Sequence, residues 1–505
     1  MRLQTLLANL ASWTIHAGNG TDLNPATMEI TSLAYDSRLV QPGGLFLAVP
    51  GEHTDGRRFV VDAAQRGALV ALGPRYEGEP LPVPYLEVAD MRAALADLAC
   101  AFYAYPAQQL CTIGVTGTDG KTTTSNLIST ILDSVGKRNG LLTTANFKIN
   151  GQEWDNTTRQ STLEALDIQH FLHRLLNEGA THAVVESTSH GLELQRVRGC
   201  AFDVGVVTNI THEHLDFHKT IGNYRRAKAR LFEMLDPARD KGLGVTPTAI
   251  LNQDDVSYEI LKPYCRVPIL SYGIATPALI RAVDLQLAAE QTRFRAILPD
   301  GEIEIVTHLV GHFNVSNCLA AIATAYSLGV APERIAEALA TVQGVTGRME
   351  RIDEGQPFTV IVDYAHTPDS LEKVLHILRP LTSGKLLTVF GSAGERDLQK
   401  RPIMGRIAGQ YADFFVITDE DPREENRFNI LQEIAEGART LGKREGQDFL
   451  CIADRREAIA AAFAQAGAGD TVLLSGKGHE QSIIVGTTKL PWDDRRVARE
   501  LLHRL

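Results

Sequence analysis

The string Gly117-Thr118-Asp119-Gly120-Lys121-Thr122-Thr123 follows a buried-type run, Leu110 to Val115, and opens an amphipathic stretch. In that stretch Leu127, Ile128, Ile131, Leu132 and Val135 recur at helical spacing and form one apolar stripe. A strand, a glycine turn and a helix in this register restrict the chain severely. The glycines let backbone N–H groups close around phosphate oxygens, and the helix N-terminus adds a favourable dipole. Lys121 then neutralises charge on the β- and γ-phosphates, and the Thr122 hydroxyl ligates Mg²⁺. The spacing is not the strict G-x-x-x-x-G-K-[ST], because Val115 takes the first position and the upstream glycine is Gly114. The alternative, a glycine-rich turn with a solvated lysine, explains the loop but not its register.

The same grammar recurs. Ala183 to Val185 runs into Glu186-Ser187-Thr188-Ser189-His190, Val204 to Val207 into Thr208-Asn209, and Ala249 to Leu251 into Asn252. A second set follows Gly347-Arg348-Met349-Glu350. Val360 to Val362 ends at Asp363-Tyr364-Ala365-His366, and Leu386 to Phe390 at Gly391. Phe414 to Ile417 ends at Thr418-Asp419, and Val472 to Leu474 at Ser475-Gly476-Lys477-Gly478-His479. Apolar runs that end in polar clusters and alternate with helices predict parallel α/β sheets, whose ligands bind beyond the carboxyl ends of the strands. Before these, short runs at Gly44 to Val49 and Ala68 to Leu72 and a helix near Met91 to Tyr103 lead to a boundary at Tyr105-Pro106.

Length and charge narrow the function. At roughly 150 residues per domain, the 505 residues suggest about three domains. A net charge of −11 offers no basic field for nucleic acid or an anionic membrane. The six scattered cysteines contain no C-x-x-C pair, which argues against a disulfide framework or a thiolate zinc site. With neither a signal peptide nor an apolar run of about 18 residues, the expected location is the cytoplasm.

Glu186, at a strand end beside the phosphate loop, offers a hard oxygen ligand to Mg²⁺. The run Thr211-His212-Glu213-His214-Leu215-Asp216-Phe217-His218 leaves two readings open: zinc, from His214 and His218 at i, i+4, or a solvated loop. Lys228 lies in Tyr224-Arg225-Arg226-Ala227-Lys228-Ala229-Arg230, either a solvated basic face or a site for an anionic substrate.

Taken together, these strings resemble the Mur ligases. The resemblance rests on G-T-D-G-K-T-T, E-S-T-S-H-G-L at 186–192, T-N-I-T-H-E-H-L-D-F-H at 208–218 and Y-x-x-A-K at 224–228. It continues through G-x-F-N-V-x-N at 311–317, G-R-M-E at 347–350 and D-Y-A-H-T-P at 363–368. D-S-R at 36–38 and G-E-H-x-D-G-R-R-F at 51–59 look like the uridine-nucleotide domain of the tripeptide-synthetase type. Each motif alone is weak, whereas their joint order is specific. The resemblance implies an α/β fold of three domains. These are a smaller N-terminal UDP-sugar domain (1–106), a central P-loop ATPase-type parallel sheet (107–343) and a C-terminal Rossmann-like doubly wound sheet that binds the amino acid (344–505). It implies a monomer that uses ATP and Mg²⁺ to add a diamino acid to the D-glutamate of UDP-MurNAc-L-Ala-D-Glu in peptidoglycan synthesis.

By the same resemblance, Gly117 to Thr123, Asn314, Arg348 and Asp363 contact ATP, with His366 nearby. Lys121, Glu186, His214 and Lys228 are catalytic; Glu186 and His214 ligate a second Mg²⁺, and Lys228, carbamylated to an anion, is a further metal ligand. Ser37, Ser161, Thr162, Ser189 and Arg196 contact the UDP-sugar peptide. Arg396, Glu420, Asp421, Pro422, Arg423, Gly476 and Glu480 contact the incoming amino acid. Four positions depart from the family pattern: Asp119 for the usual Asn, Leu163 for Pro, and Glu420 and Asp421 in Glu420-Asp421-Pro422-Arg423 for D-N-P-R. Asp421 favours an acceptor with a distal ammonium, lysine or ornithine, while Arg423 favours a distal carboxylate. Diaminopimelate stands ahead of the other two. The competing readings are another Mur-type or folylpolyglutamate-type ligase, a non-catalytic relative, and an ATPase that drives movement.

Overall fold

A computed structural model describes residues 1–16, 23–51, 54–158, 160–211, 215–288 and 291–504. The chain divides into two units. One holds Met1–Trp154, Thr158–Arg281 and Ser316–Ile335; the other holds Asp155–Thr157, Ala282–Val315 and Ala336–Leu505.

The first unit carries two sheets. The N-terminal one has five strands in the order Thr14–His16, Tyr85–Glu87, Ala68–Gly73, Gly44–Leu47 and Ser32–Ala34. All neighbours are parallel except the first pair. Leu45, Leu47, Val70 and Leu86 pack with Leu95 and Leu98 of helix Met91–Phe102, whose first turn is capped by Asp90 accepting from Ala93 N.

The second sheet has eleven strands, seven of which run in the order Ile269–Gly273, Thr248–Asn252, Val204–Val207, Cys111–Thr116, His182–Glu186, Asn139–Leu142 and Asn146–Ile149. These seven are parallel except for the last pair. Strands Cys111–Thr116, His182–Glu186 and Val204–Val207 are buried along their whole length, as parallel strands covered on both faces must be. Gly114 makes room for a helix: a Cβ there would stand 2.6 Å from Leu231 Cδ1 of helix Ile221–Glu233. The polar residues that end these strands, Thr116, Glu186, Thr208 and Asn252, therefore emerge at one edge of the sheet.

In the second unit a six-stranded sheet runs Glu350–Ile352, Thr359–Asp363, Thr471–Ser475, Leu386–Phe390, Phe414–Ile417 and Phe449–Cys451. Its only antiparallel pair among the described residues is the first. Alternate residues feed two separate apolar clusters. Ile361 and Leu473 join Leu371, Leu375, Met404 and Ile434. Val360, Val362, Val472 and Leu474 join Ile459, Phe463 and Val497. The period of two along each strand thus puts helices on both faces, a doubly wound sheet as expected.

One buried charge pair fastens this sheet. The fully buried Arg455 meets Asp494 at 2.6 Å, and its other N–H groups donate to Asp419 O at 3.1 Å and Ser475 O at 2.9 Å. Removing the carboxylate leaves an uncompensated buried cation. Asp494→Ala is expected to cost about 3–5 kcal/mol, read as a lower urea midpoint. Glu302→Ala, which breaks an exposed pair with Arg295, should leave the midpoint nearly unchanged.

Candidate active site

The phosphate loop is built on two close approaches. Gly117 has φ 152°, and a Cβ on it would lie 1.8 Å from Thr208 Oγ1; Gly120 has φ 80°, and its Cβ would lie 2.2 Å from Asn317 Oδ1. Loop amides and carbonyls are tied to the neighbouring strand end. Thr118 N donates to Asn209 O at 2.8 Å, Asp119 N to Asn209 Oδ1 at 3.0 Å, and Thr208 Oγ1 to Asp119 O at 2.6 Å. The Asp119 side chain itself is exposed, so its departure from Asn leaves these backbone ties unchanged. Helix Lys121–Ser134 begins at once, with Thr122 and Thr123 buried in its first turn. Lys121 Nζ donates to Thr118 O at 2.7 Å, which folds the ammonium over the loop.

Glu186 is 1% exposed and takes three donors: Thr122 Oγ1 at 2.9 Å, Thr144 N at 3.0 Å and Thr144 Oγ1 at 2.8 Å. Lys228, also 1% exposed, donates to Gly117 O at 2.6 Å and stands 4.6 Å from the centre of the Tyr224 ring. A solvated basic face is thereby corrected for Lys228: the helix turns Tyr224, Ala227 and Lys228 inward and leaves Arg226 outside. The Tyr224 hydroxyl reaches Thr118 Oγ1 at 2.8 Å. His214 lies outside the described residues. Among the described residues no three His, Cys, Asp or Glu side chains form a metal-holding group. His218 is buried among the rings of His190, Phe217 and Tyr224.

The expected sugar-peptide residues of this sheet adjoin Glu186. Thr162 Oγ1 donates to Glu186 O at 3.0 Å, and Arg196 Nη1 donates to Thr162 O at 3.0 Å. Ser189 Oγ and Arg196 Nε are buried without a hydrogen-bond partner. Ser161 is half-buried beside Thr162. Ser37 belongs to a different element, the short helix Ser37–Leu39 of the N-terminal sheet, where it bonds to Asp62.

The second unit holds the remaining candidates in two groups. Asp363 accepts from Met349 N at 2.7 Å and Ala365 N at 2.8 Å, and Arg348 lies over the Tyr364 ring at 4.8 Å with its Nε buried and unpartnered. Tyr364 also packs on His366 and His479. Asn314 donates from Nδ2 to Val310 O at 2.9 Å. In the other group Lys477, fully buried, reaches Asp421 at 2.8 Å and Glu480 at 2.7 Å. Asp421 Oδ1 also accepts from Ile484 N at 2.9 Å. Arg423 holds φ 56° and is fixed by N–H donation to Ile484 O at 3.0 Å. Pro422 is buried against Gly394, whose Cβ would stand 2.1 Å from Pro422 O. Gly476 has φ 106°, and a Cβ on it would lie 3.8 Å from Glu420 Cγ. Glu420 Oε2 and Arg423 Nε are buried without partners, and Arg396 is exposed on the loop after Leu386–Phe390.

Sequence reasoning missed Asn317, Thr144, Tyr224 and Lys477 as parts of these groups. Asn317, Tyr224 and Lys477 stood inside recognisable motifs, so their position was available; their partners were not.

Comparison with known proteins decides the family. The Mur ligase middle domain matches residues 115–325, the Mur ligase glutamate ligase domain 347–478, and the Mur ligase family catalytic domain 29–103. The UDP-N-acetylmuramyl-tripeptide synthetase of Roseiflexus sp. (strain RS-1) is 47% identical, with 100% of this chain and 99% of that protein covered. The chain belongs to the Mur ligase family. Members of this family are ATP-dependent ligases that form amide bonds. A second relative of this Mur ligase, from Syntrophomonas wolfei, is named UDP-N-acetylmuramoyl-L-alanyl-D-glutamate–2,6-diaminopimelate ligase; it is 41% identical, with 100% of this chain and 99% of the relative covered. A solved structure bearing the same ligase name is 31% identical with TM-score 0.65, covering 96% of this chain and 97% of that one.

One group gives a pH signature. Burial, and then the nearby Arg348, push the His479 imidazole down to about 3 from 6.5. Below 6.5 the unfolded chain takes up a proton that the folded chain refuses, so stability falls as pH drops toward 3. His479→Asn should flatten that part of the curve of urea midpoint against pH.

Proposed function

We propose that this Mur ligase adds a diamino acid, diaminopimelate first, to the D-glutamate of UDP-MurNAc-L-Ala-D-Glu in the cytoplasm. The observation that carries this reading is the pair of unpartnered buried groups, Ser189 Oγ and Arg196 Nε, beside Thr162, which is itself bonded to the Glu186 carbonyl. A buried polar group without a partner costs about 1–3 kcal/mol. These two are suited to an anionic peptide end set next to the phosphate loop.

In the reaction the γ-phosphoryl group of ATP passes to the substrate's side-chain carboxylate, and ADP leaves. The acceptor amine then attacks the acyl phosphate, loses a proton, and phosphate departs as the amide forms. The loop amides and Lys121 hold the phosphates and oppose the charge that develops during transfer. Thr122 Oγ1 and Glu186 are hard oxygen donors 2.9 Å apart that suit Mg²⁺; Thr122 would hold the first ion and Glu186 the second. When bound, Mg²⁺ supplies charge neutralisation at the phosphates. Lys228, placed by Gly117 O and the Tyr224 ring, is the position for the carbamate, formed from its amine and CO₂ with loss of a proton.

The state of Asp421 supports diaminopimelate over lysine or ornithine. Its carboxylate is turned onto Lys477 and Ile484 N, which weakens the case for a distal ammonium. Arg423 Nε and Glu420 Oε2 remain as a cation and an anion suited to a zwitterionic amino acid. The names of the relatives agree with diaminopimelate.

With ATP, Mg²⁺ and UDP-MurNAc-L-Ala-D-Glu, phosphate release should require an acceptor, diaminopimelate giving the highest kcat/KM, ahead of lysine and ornithine. Release stimulated by none of the three would defeat the proposal. Lys121→Ala and Lys228→Ala should each lower kcat by about 10²–10³-fold or more in a chain that still unfolds cooperatively. A Lys228→Ala protein with near-normal turnover in bicarbonate-depleted buffer would refute the carbamate role.

A further inference from the structure

Glu164 holds no role in the site described above, yet it touches that site. It immediately precedes helix Ala165–Asn177, and its side chain is 8% exposed. Its two oxygens serve guanidinium groups from different parts of the chain: Arg92 Nη1 at 2.7 Å and Arg196 Nη2 at 2.8 Å. Arg92 lies on helix Met91–Phe102 of the N-terminal sheet, and its Nη2 also donates to Pro50 O at 3.3 Å. Arg196 uses Nη1 on Thr162 O at 3.0 Å. A second tie joins the same regions nearby, Tyr35 OH donating to Asp167 Oδ2 at 2.6 Å.

One buried carboxylate therefore links the N-terminal sheet to Arg196 and Thr162. We propose that Glu164 is a positioning residue for the nucleotide-peptide substrate. It holds the Arg196 fork in its binding orientation and keeps the N-terminal sheet in register, so that both ends of one ligand are met by a preformed surface. This role rests on the reading of Thr162, Ser189 and Arg196 as the sugar-peptide site. Two effects of Glu164 oppose each other. Ordering Arg196 beforehand lowers the entropy lost on binding and strengthens it. Neutralising part of the Arg196 charge weakens the attraction for an anion. The sign of the change on removing the charge separates them.

The test compares full-length wild type, Glu164→Gln, Arg92→Gln and the double variant, using UDP-MurNAc-L-Ala-D-Glu as probe in calorimetry and in steady-state assays. Glu164→Gln should raise Kd and KM for the nucleotide-peptide about tenfold, with kcat within about twofold and KM for ATP and for the acceptor unmoved. Arg92→Gln should raise the same Kd about threefold, and the double variant should bind no worse than Glu164→Gln, since both changes break one unit. A Kd that stays constant or falls in Glu164→Gln, or effects of the two changes that add, overturns the proposal. So does a drop in kcat accompanied by rises in all three KM values, which marks a general loss of structure. Should Glu164→Gln fail to unfold cooperatively, Arg92→Gln decides alone, and an unmoved Kd there overturns the proposal. Wild type that does not bind the probe overturns the substrate reading and this role together, whereas wild-type binding with an unmoved Kd in the variants overturns this role alone.

Discussion

The turn from strand Cys111–Thr116 into helix Lys121–Ser134 is made where neighbouring side chains leave no room for a Cβ. Thr208 closes on Gly117 and Asn317 on Gly120, and both glycines hold positive φ. That tight path brings successive amides to the start of the helix, where the dipole favours anions. Among the described residues, the candidate groups Glu186, Lys228 and Tyr224 are tied to this turn or to the helix it opens. Thr122 reaches Glu186 from its first helical residues, Lys228 bonds to the Gly117 carbonyl, and Tyr224 bonds to Thr118. A loosened loop would leave each of these without its reference point.

The second unit achieves precision by burying charge instead. Lys477 lies between Asp421 and Glu480, Arg455 grips Asp494, and Arg423 keeps a left-handed backbone held by the hairpin Ser482–Pro491. In a low-dielectric interior such pairs are stable only with close geometry and extra hydrogen bonds, and Arg455 has both. The groups left over, Glu420 Oε2 and Arg423 Nε, sit on the loop that these pairs immobilise. Rigid surroundings and unsatisfied polar atoms together suit the proposed binding of a charged small molecule.

Much of this arrangement was legible in the chain. The strand ends at Glu186, Thr208, Asp363 and Ser475 fell where apolar runs stop, because a buried parallel strand has no polar alternation and its end is abrupt. The phosphate loop was readable because glycine, lysine and threonine each answer a separate demand of bound phosphate. The solvated reading of Lys228 failed for a definite reason: Arg225, Arg226 and Arg230 made its helix look basic all round, and only packing showed that the lysine faces inward. Asp421 was read as an added negative charge in the acceptor site, and nothing local announced that Lys477, 56 residues later, meets its carboxylate.

Local pattern thus determined the class of fold, the order of its sheets' strands along the chain and the loop that takes phosphate. These depend on burial period, on turn chemistry and on residues adjacent in sequence. What only the tertiary structure decided was which distant side chains share a charge. Glu164 between Arg92 and Arg196, Lys477 between Asp421 and Glu480, and Asn317 against Gly120 are pairings across long stretches of chain. Electrostatic partnership and close packing act through space, so their outcome is fixed by the path of the folded backbone.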